Sequence, residues 1–342
     1  MLGKHLQGPT AQTSGEKIAM ALDDRPARLV LTASVARRYY LDNKSKVEIA
    51  DELGISRFQV ARLLDVARSS GLVHIEIADS GAIDLELSGR VQDAFRLRHA
   101  VVVDTPDDDD AFVRRNLGQA AADLLTEIVT PGDVLGLAWA RSVSAMTAAL
   151  TVRLASVPVV QLTGVLARPE MGDGSVDLVR QAARASGGPA HFFHAPLVVP
   201  NAATARAMRK QPEIARAFAH FGSVTKAVVG IGRWRSGLST IYDAADEHDR
   251  QQMSRLGACA DISGVTVDAH GQPVHGGLTE RMIGISAREM GAINEVIAIA
   301  YGTAKAPAVH AAIRSGLVRG LVTHSTLAMA LLSPDEPSAK AP

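Results

Sequence analysis

Residues 47–64 read VEIADELGISRFQVARLL. Ser45 and Glu48 stand just ahead of the apolar pair Ile49 and Leu53, the spacing of a capping box that opens a helix. Gly54 stops that helix where the chain needs a residue free to take positive φ. Ser56 and Gln59 repeat the box and open a second helix, with Val60, Leu63 and Leu64 on its inner side. Two capped helices across a tight turn predict a helix-turn-helix. Ala50, Gly54, Ile55, Val60 and Leu63 take the packing positions, which turns Ser56, Arg57, Gln59 and Arg62 outward; Phe58 reads as a packing residue. From a helix in the major groove, arginine can bridge guanine O6 and N7, and glutamine can pair with adenine N6 and N7. Lys44, Ser45 and Lys46 open the preceding helix, where cations and free N–H groups can hold a phosphate. Operator DNA is the partner expected. The plainer alternative is a three-helix docking or dimerisation module with solvated arginines.

Charge supports the first reading. Lys plus Arg equals Asp plus Glu at 36 each over 342 residues, yet nine basic residues face five acidic ones between Arg25 and Leu72. A basic module on an acidic body is expected when only one part meets phosphates. His74–Ile77 alternates like a short strand and suggests a wing. The length favours two domains: a DNA-binding domain over 25–80 and an effector domain over 84–335. Residues 1–24 read as an arm without the apolar core of a signal peptide, and 336–342 as a tail. The single cysteine, Cys259, excludes an intrachain disulfide, and no apolar run is long enough for a membrane span, so a cytoplasmic location is expected.

Downstream the pattern changes. Asp84 can cap a helix bearing Leu87, Val91 and Phe95, either a linker or dimerisation helix or one docked on the body. Short apolar strands at 100–104, 133–139, 157–162, 226–232, 295–302 and 320–325 then alternate with helical stretches at 111–129, 174–186, 203–221 and 305–316. The fold class predicted is α/β: a winged helix-turn-helix followed by a doubly wound, Rossmann-like domain. Asp107–Asp110 reads as a solvated loop ahead of a helix.

The stretch RRYYLDNKSKVEIADELGISRFQVARLLDVARSSGLVHIEI (37–77) resembles the DNA-binding segment of the SorC family of bacterial carbohydrate-responsive transcriptional regulators. GLAWARSVSA (136–145), QLTG (161–164), DISGVTVDAHGQPV (261–274), RMIGIS (281–286), IAIAYGTAKAPAVHAAIRSGLV (297–318) and LVTHSTLAMALL (321–332) extend the likeness in the family's order over nearly the whole chain. The resemblance implies an effector domain related in fold to sugar-phosphate isomerases and deaminases, assembly as a homodimer or homotetramer, and effectors that are commonly phosphorylated sugars.

Ligands of parallel sheets settle beyond the carboxyl ends of the strands. The effector-site candidates there are Trp139, Ala140, Arg141, Ser142, Gln161, Gly164, Tyr301, Gly302, Thr303, Lys305 and His324, with Asp243, Asp261 and Asp268 as weaker candidates to accept from hydroxyls. Thr303, Lys305, Arg141 and Ser142 offer donors to a phosphate or hydroxyl; Gln161 suits a hydroxyl; Trp139 or Tyr301 could cover a sugar face. The family pattern has Gly where Ala140 and Tyr301 stand and Asp where His324 stands. Such changes crowd a phosphate seat, so a sugar, a sugar phosphate or a polyol are all open as effector. No cofactor or metal is expected. His191 and His194 lack further ligands, and Gly230-Ile231-Gly232 is only a fragment of a dinucleotide fingerprint. The rival function is a sugar-phosphate isomerase or deaminase carrying a DNA-docking module, with Lys305 or Asp243 as acid or base.

Overall fold

The computed structural model describes residues 26–73, 83–105, 109–150, 154–166 and 174–333, and the chain divides into two units after Ala78. In the first, α1 (Pro26–Tyr40), α2 (Lys46–Leu53) and α3 (Arg57–Ser69) close around Val35, Ala36, Ile49, Ala50, Val60, Leu63, Leu64 and Ala67. Both capping boxes form. Ser45 Oγ accepts from the Glu48 N–H while the Glu48 carboxylate accepts from Ser45 N–H, and Ser56 and Gln59 do the same. Gly54, at φ 63°, ends α2 in the left-handed region, which costs a residue bearing a β-carbon about 1 kcal/mol or more. With α3 packed on α1 and α2, this unit is a helix-turn-helix. The wing expected at His74–Ile77, the arm 1–24 and the tail 336–342 lie outside the described residues.

The second unit is built on a parallel sheet. Its strands are β1 (His99–Val103), β2 (Leu135–Leu137), β3 (Val159–Gln161), β4 (Ala190–His191), β5 (Lys226–Arg233), β8 (Glu295–Ile299) and β9 (Gly320–His324), in the order β1-β9-β8-β5-β2-β3-β4. Alternate side chains feed two cores, as a period of two demands. Ala227, Val229, Val296, Ala298 and Leu321 enter one core; Val228, Ile297, Ile299 and Val322 enter the other. Both faces are therefore covered, as in a doubly wound sheet. The helix Leu85–Phe95, capped by Asp84, docks on this body. Asp84 N–H donates to Val102 O and Val102 N–H to Ser88 Oγ, each at 2.9 Å, while Leu87 and Val91 join a core.

Two details differ from the sequence reading. The helix expected over 203–221 breaks into Ala202–Arg209 and Pro212–Phe218, because Pro212 lacks an N–H and suits the first position of a new helix. An antiparallel hairpin, β6 (Ala258–Ile262) and β7 (Val265–Asp268), pairs with the far end of β5 through Ile231–Arg233. The topology locates the site. From β2 the chain winds outward through β3 to β4; from β5 it winds the other way through β8 and β9. The order reverses between β2 and β5, and the crevice at their carboxyl ends is where such sheets bind ligands.

Candidate functional site

A cleft of about 770 Å³, including its open mouth, lies at that switch point. Trp139, Ala140, Arg141 and Ser142 follow β2 into it; Gly230 and Gly232 belong to β5; Tyr301 and Lys305 follow β8. Ser239, Asp243, Asp261 and Ser263 complete its polar wall, and Thr163 and Gly164 add the segment after β3.

Two features favour an anion. Ala140 caps the helix Arg141–Ala149 without a side-chain hydrogen bond, so no cap side chain competes for the first-turn N–H groups at the positive end of the helix dipole. Lys305 sets its ammonium 4.7 Å from the Tyr301 ring centre, and burial pulls its pKa below the usual lysine range. Tyr301 is itself anchored, its hydroxyl accepting from Arg114 Nη1 at 3.2 Å. Two carboxylates suit hydroxyl groups instead. Asp243 Oδ1 accepts from Gly237 N–H at 2.9 Å. Asp261 accepts from Gly264 N–H at 2.7 Å and Ser239 Oγ at 3.2 Å, yet its burial outweighs these bonds and its pKa is pushed up to about 6.

Five expected residues are placed elsewhere. Gln161 is fully buried, its amide donating to Thr163 O and Ser175 Oγ and accepting from Phe193 N–H, so it braces loops and has no face toward a ligand. His324 is also fully buried; its Nε2 accepts from Gly302 N–H at 3.0 Å and its Nδ1 meets Thr326 Oγ1 at 2.7 Å. Gly302 and the exposed Thr303 do not line the cleft. Asp268 accepts from His270 and Gln272 N–H groups, which makes it a loop residue. Sequence reasoning missed Ser239 and Ser263. Ser263 reaches the cleft through the unforeseen hairpin, where it accepts from Gly230 N–H at 2.9 Å.

On the helix-turn-helix, Ser56, Arg57, Phe58, Gln59 and Arg62 are exposed. Phe58 corrects the packing expectation: it is 73% exposed. The cap engages Ser56 Oγ with Gln59 N–H and Gln59 Oε1 with Ser56 N–H at 2.9 Å, so Gln59 pairs with both N6 and N7 of an adenine only by giving up its cap. Lys44 is paired with Glu52, which also takes Arg38, and Lys46 lies 5.9 Å from the Tyr39 ring centre. These pairs are exposed and cheap to exchange for phosphate.

Comparison with known proteins places this geometry in context. Residues 82–333 match the family model described as "Putative sugar-binding domain". The transcriptional regulator YjhU of Escherichia coli K12 is 30% identical over 311 residues, covering 87% of this chain and 93% of that protein. The deoxyribonucleoside regulator of Bacillus subtilis 168 is 26% identical over 89% of this chain and 97% of its own length. The full-length sorbitol operon regulator SorC of Klebsiella pneumoniae superposes with a TM-score of 0.69 over 89% of this chain and 99% of that one; at 24% identity it shows the shared fold. A family model spanning most of the chain, and a regulator 30% identical over 87% of it, establish that the chain belongs to the SorC family of sugar-binding transcriptional regulators.

Proposed function

We propose that residues 25–80 bind operator DNA and that residues 84–335 bind a sugar-type effector bearing an anionic group, most simply a sugar phosphate. The observation that carries the effector class is the uncapped start of the helix Arg141–Ala149 beside Lys305, in a cleft whose other wall offers Asp243 and Asp261 to hydroxyls. Helix N-termini and nearby cations are built for phosphate. The crowding expected from Ala140 is relieved locally: position 230 is glycine, and a β-carbon there would lie 2.5 Å from the Ala140 methyl. Arg57 and Arg62 are the proposed base readers, with Lys44 and Lys46 on phosphates. The enzyme reading is set aside, since the relatives matched over most of their length are named as regulators.

Regulation requires the effector to bind two arrangements of the protein unequally. Operator half-sites about 34 Å apart require at least a homodimer. Titration calorimetry tests the effector class, using pentose and hexose phosphates beside the same sugars and polyols without phosphate. Heat from the phosphates alone, weakened at least tenfold by Lys305→Ala or Arg141→Ala, is expected, about 1.4 kcal/mol in binding free energy. Binding of the unphosphorylated compounds alone would sink the anionic assignment. Sedimentation velocity tests assembly, and a monomer at working concentration counts against the operator model.

A further inference from the structure

Phe58 is the second residue of α3 and is 73% exposed. The core-facing residues of α3 are Val60, Leu63, Leu64 and Ala67, so the ring is not part of that stripe. Neighbours on its own side of a helix stand three, four and seven residues on. These are Ala61, Arg62 and Asp65, not the apolar run of a protein-docking face. On its other side the Arg57 guanidinium lies 5.1 Å from the ring centre. Phe58 is thus a lone apolar group between two exposed arginines that no carboxylate engages among the described residues. With Gln59 Oε1 held in the cap, the early part of α3 presents two arginines suited to guanine and one aromatic ring.

In the major groove, thymine offers one apolar feature, its 5-methyl group, and phenylalanine is among the side chains that contact it. We propose that Phe58 reads a thymine methyl, making it a specificity-determining residue between the guanine-reading arginines. This rests on the DNA-binding reading above. It gives the ring an apolar partner that water and phosphate cannot supply. It also predicts a half-site in which a thymine stands beside guanines.

The test uses the full chain and a duplex selected by it from a random library. Each thymine is replaced in turn by deoxyuridine, which lacks only the methyl, and binding is followed by fluorescence anisotropy. One position per half-site is expected to weaken wild-type binding about fourfold, the equivalent of ~0.8 kcal/mol for one buried carbon. Phe58→Ala should bind more weakly, be indifferent to that replacement, and keep the wild-type salt dependence because no charge is lost. The replacement acts on the wild-type protein, so the test does not depend on the variant folding. A selected duplex that tolerates deoxyuridine everywhere overturns the proposal. So does a penalty that persists in Phe58→Ala, or a variant that changes only the sedimentation coefficient, which would place the ring against a second copy. Failure to select any duplex would instead remove the DNA-binding reading on which the proposal stands.

Discussion

Ala140 and Gly230 occupy one shared space: a β-carbon on Gly230 would lie 2.5 Å from the methyl of Ala140. Gly230 is in β5 and Ala140 begins the helix after β2, so the contact spans the switch point of the sheet. Gly230→Ala should destabilise the chain by about 1–3 kcal/mol through overpacking. Adding Ala140→Gly should recover most of that loss. Urea unfolding of both single variants and the double variant measures the coupling, and additive losses would contradict the shared space.

Asp261 gives a pH dependence of defined sign. Its folded pKa, about 6, stands above its ordinary value of 3.8 because burial disfavours the charged form. The folded state therefore holds the proton more tightly, and stability falls as pH rises through that window, then levels off. Asp261→Asn mimics the protonated carboxyl, so its stability relative to wild type should increase between about pH 4 and about pH 7. Asp133 acts in the opposite direction. Burial opposes its ionisation, but bonds from Lys226, Thr130 and Thr225 prevail and hold its carboxyl well below the usual range. Stability from Asp133 is lost as pH falls below the ordinary aspartate value, equally in both proteins, so the difference curve isolates Asp261.

His324 should prove structural. Its Nε2 accepts from Gly302 N–H, so the imidazole carries its proton on Nδ1 and faces Thr326 Oγ1. His324→Ala removes the acceptor and leaves a void in the interior, costing about 1–3 kcal/mol or more. Thermal unfolding should show that loss, and calorimetry should show weaker effector binding only through a disordered turn at Gly302–Lys305. A fully stable His324→Ala would return the residue to the list of ligand contacts.

The Ser56 cap is the last case. Ser56→Ala removes the acceptor for Gln59 N–H and should cost about 1 kcal/mol. Hydrogen exchange on the full chain reads this locally. Amides at the start of α3 should lose protection, and those of β5 should not. Uniform change across both units would contradict a local cap.

Local chemistry made much of this legible in the sequence. Ser45-x-x-Glu48 and Ser56-x-x-Gln59 are self-contained signals, and both boxes form as read. Continuous Val, Ile and Leu runs identified the sheet strands because both faces are buried. What periodicity could not supply was orientation. Gln161 and Gly164 are three residues apart at the end of one strand, yet Gln161 turns wholly inward and Gly164 lines the cleft. Phe58 was misread for the reverse reason: a large apolar residue is assigned to packing unless the helix face it occupies is known. The hairpin that carries Asp261 and Ser263 pairs with β5 across long sequence distance, which no local pattern encodes.

That hairpin changes what β5 is. Its eight residues begin in the middle of the parallel sheet and end as the inner edge of an antiparallel ribbon. A molecule seated against Gly230 and Gly232 therefore rests on a beam clamped along its whole length. Such a floor yields little, and accommodation falls to the groups around it, the turn at Gly237–Asp243 and the side chains of Tyr301 and Lys305. An effector held there is therefore expected to act first on those groups rather than on the sheet beneath them.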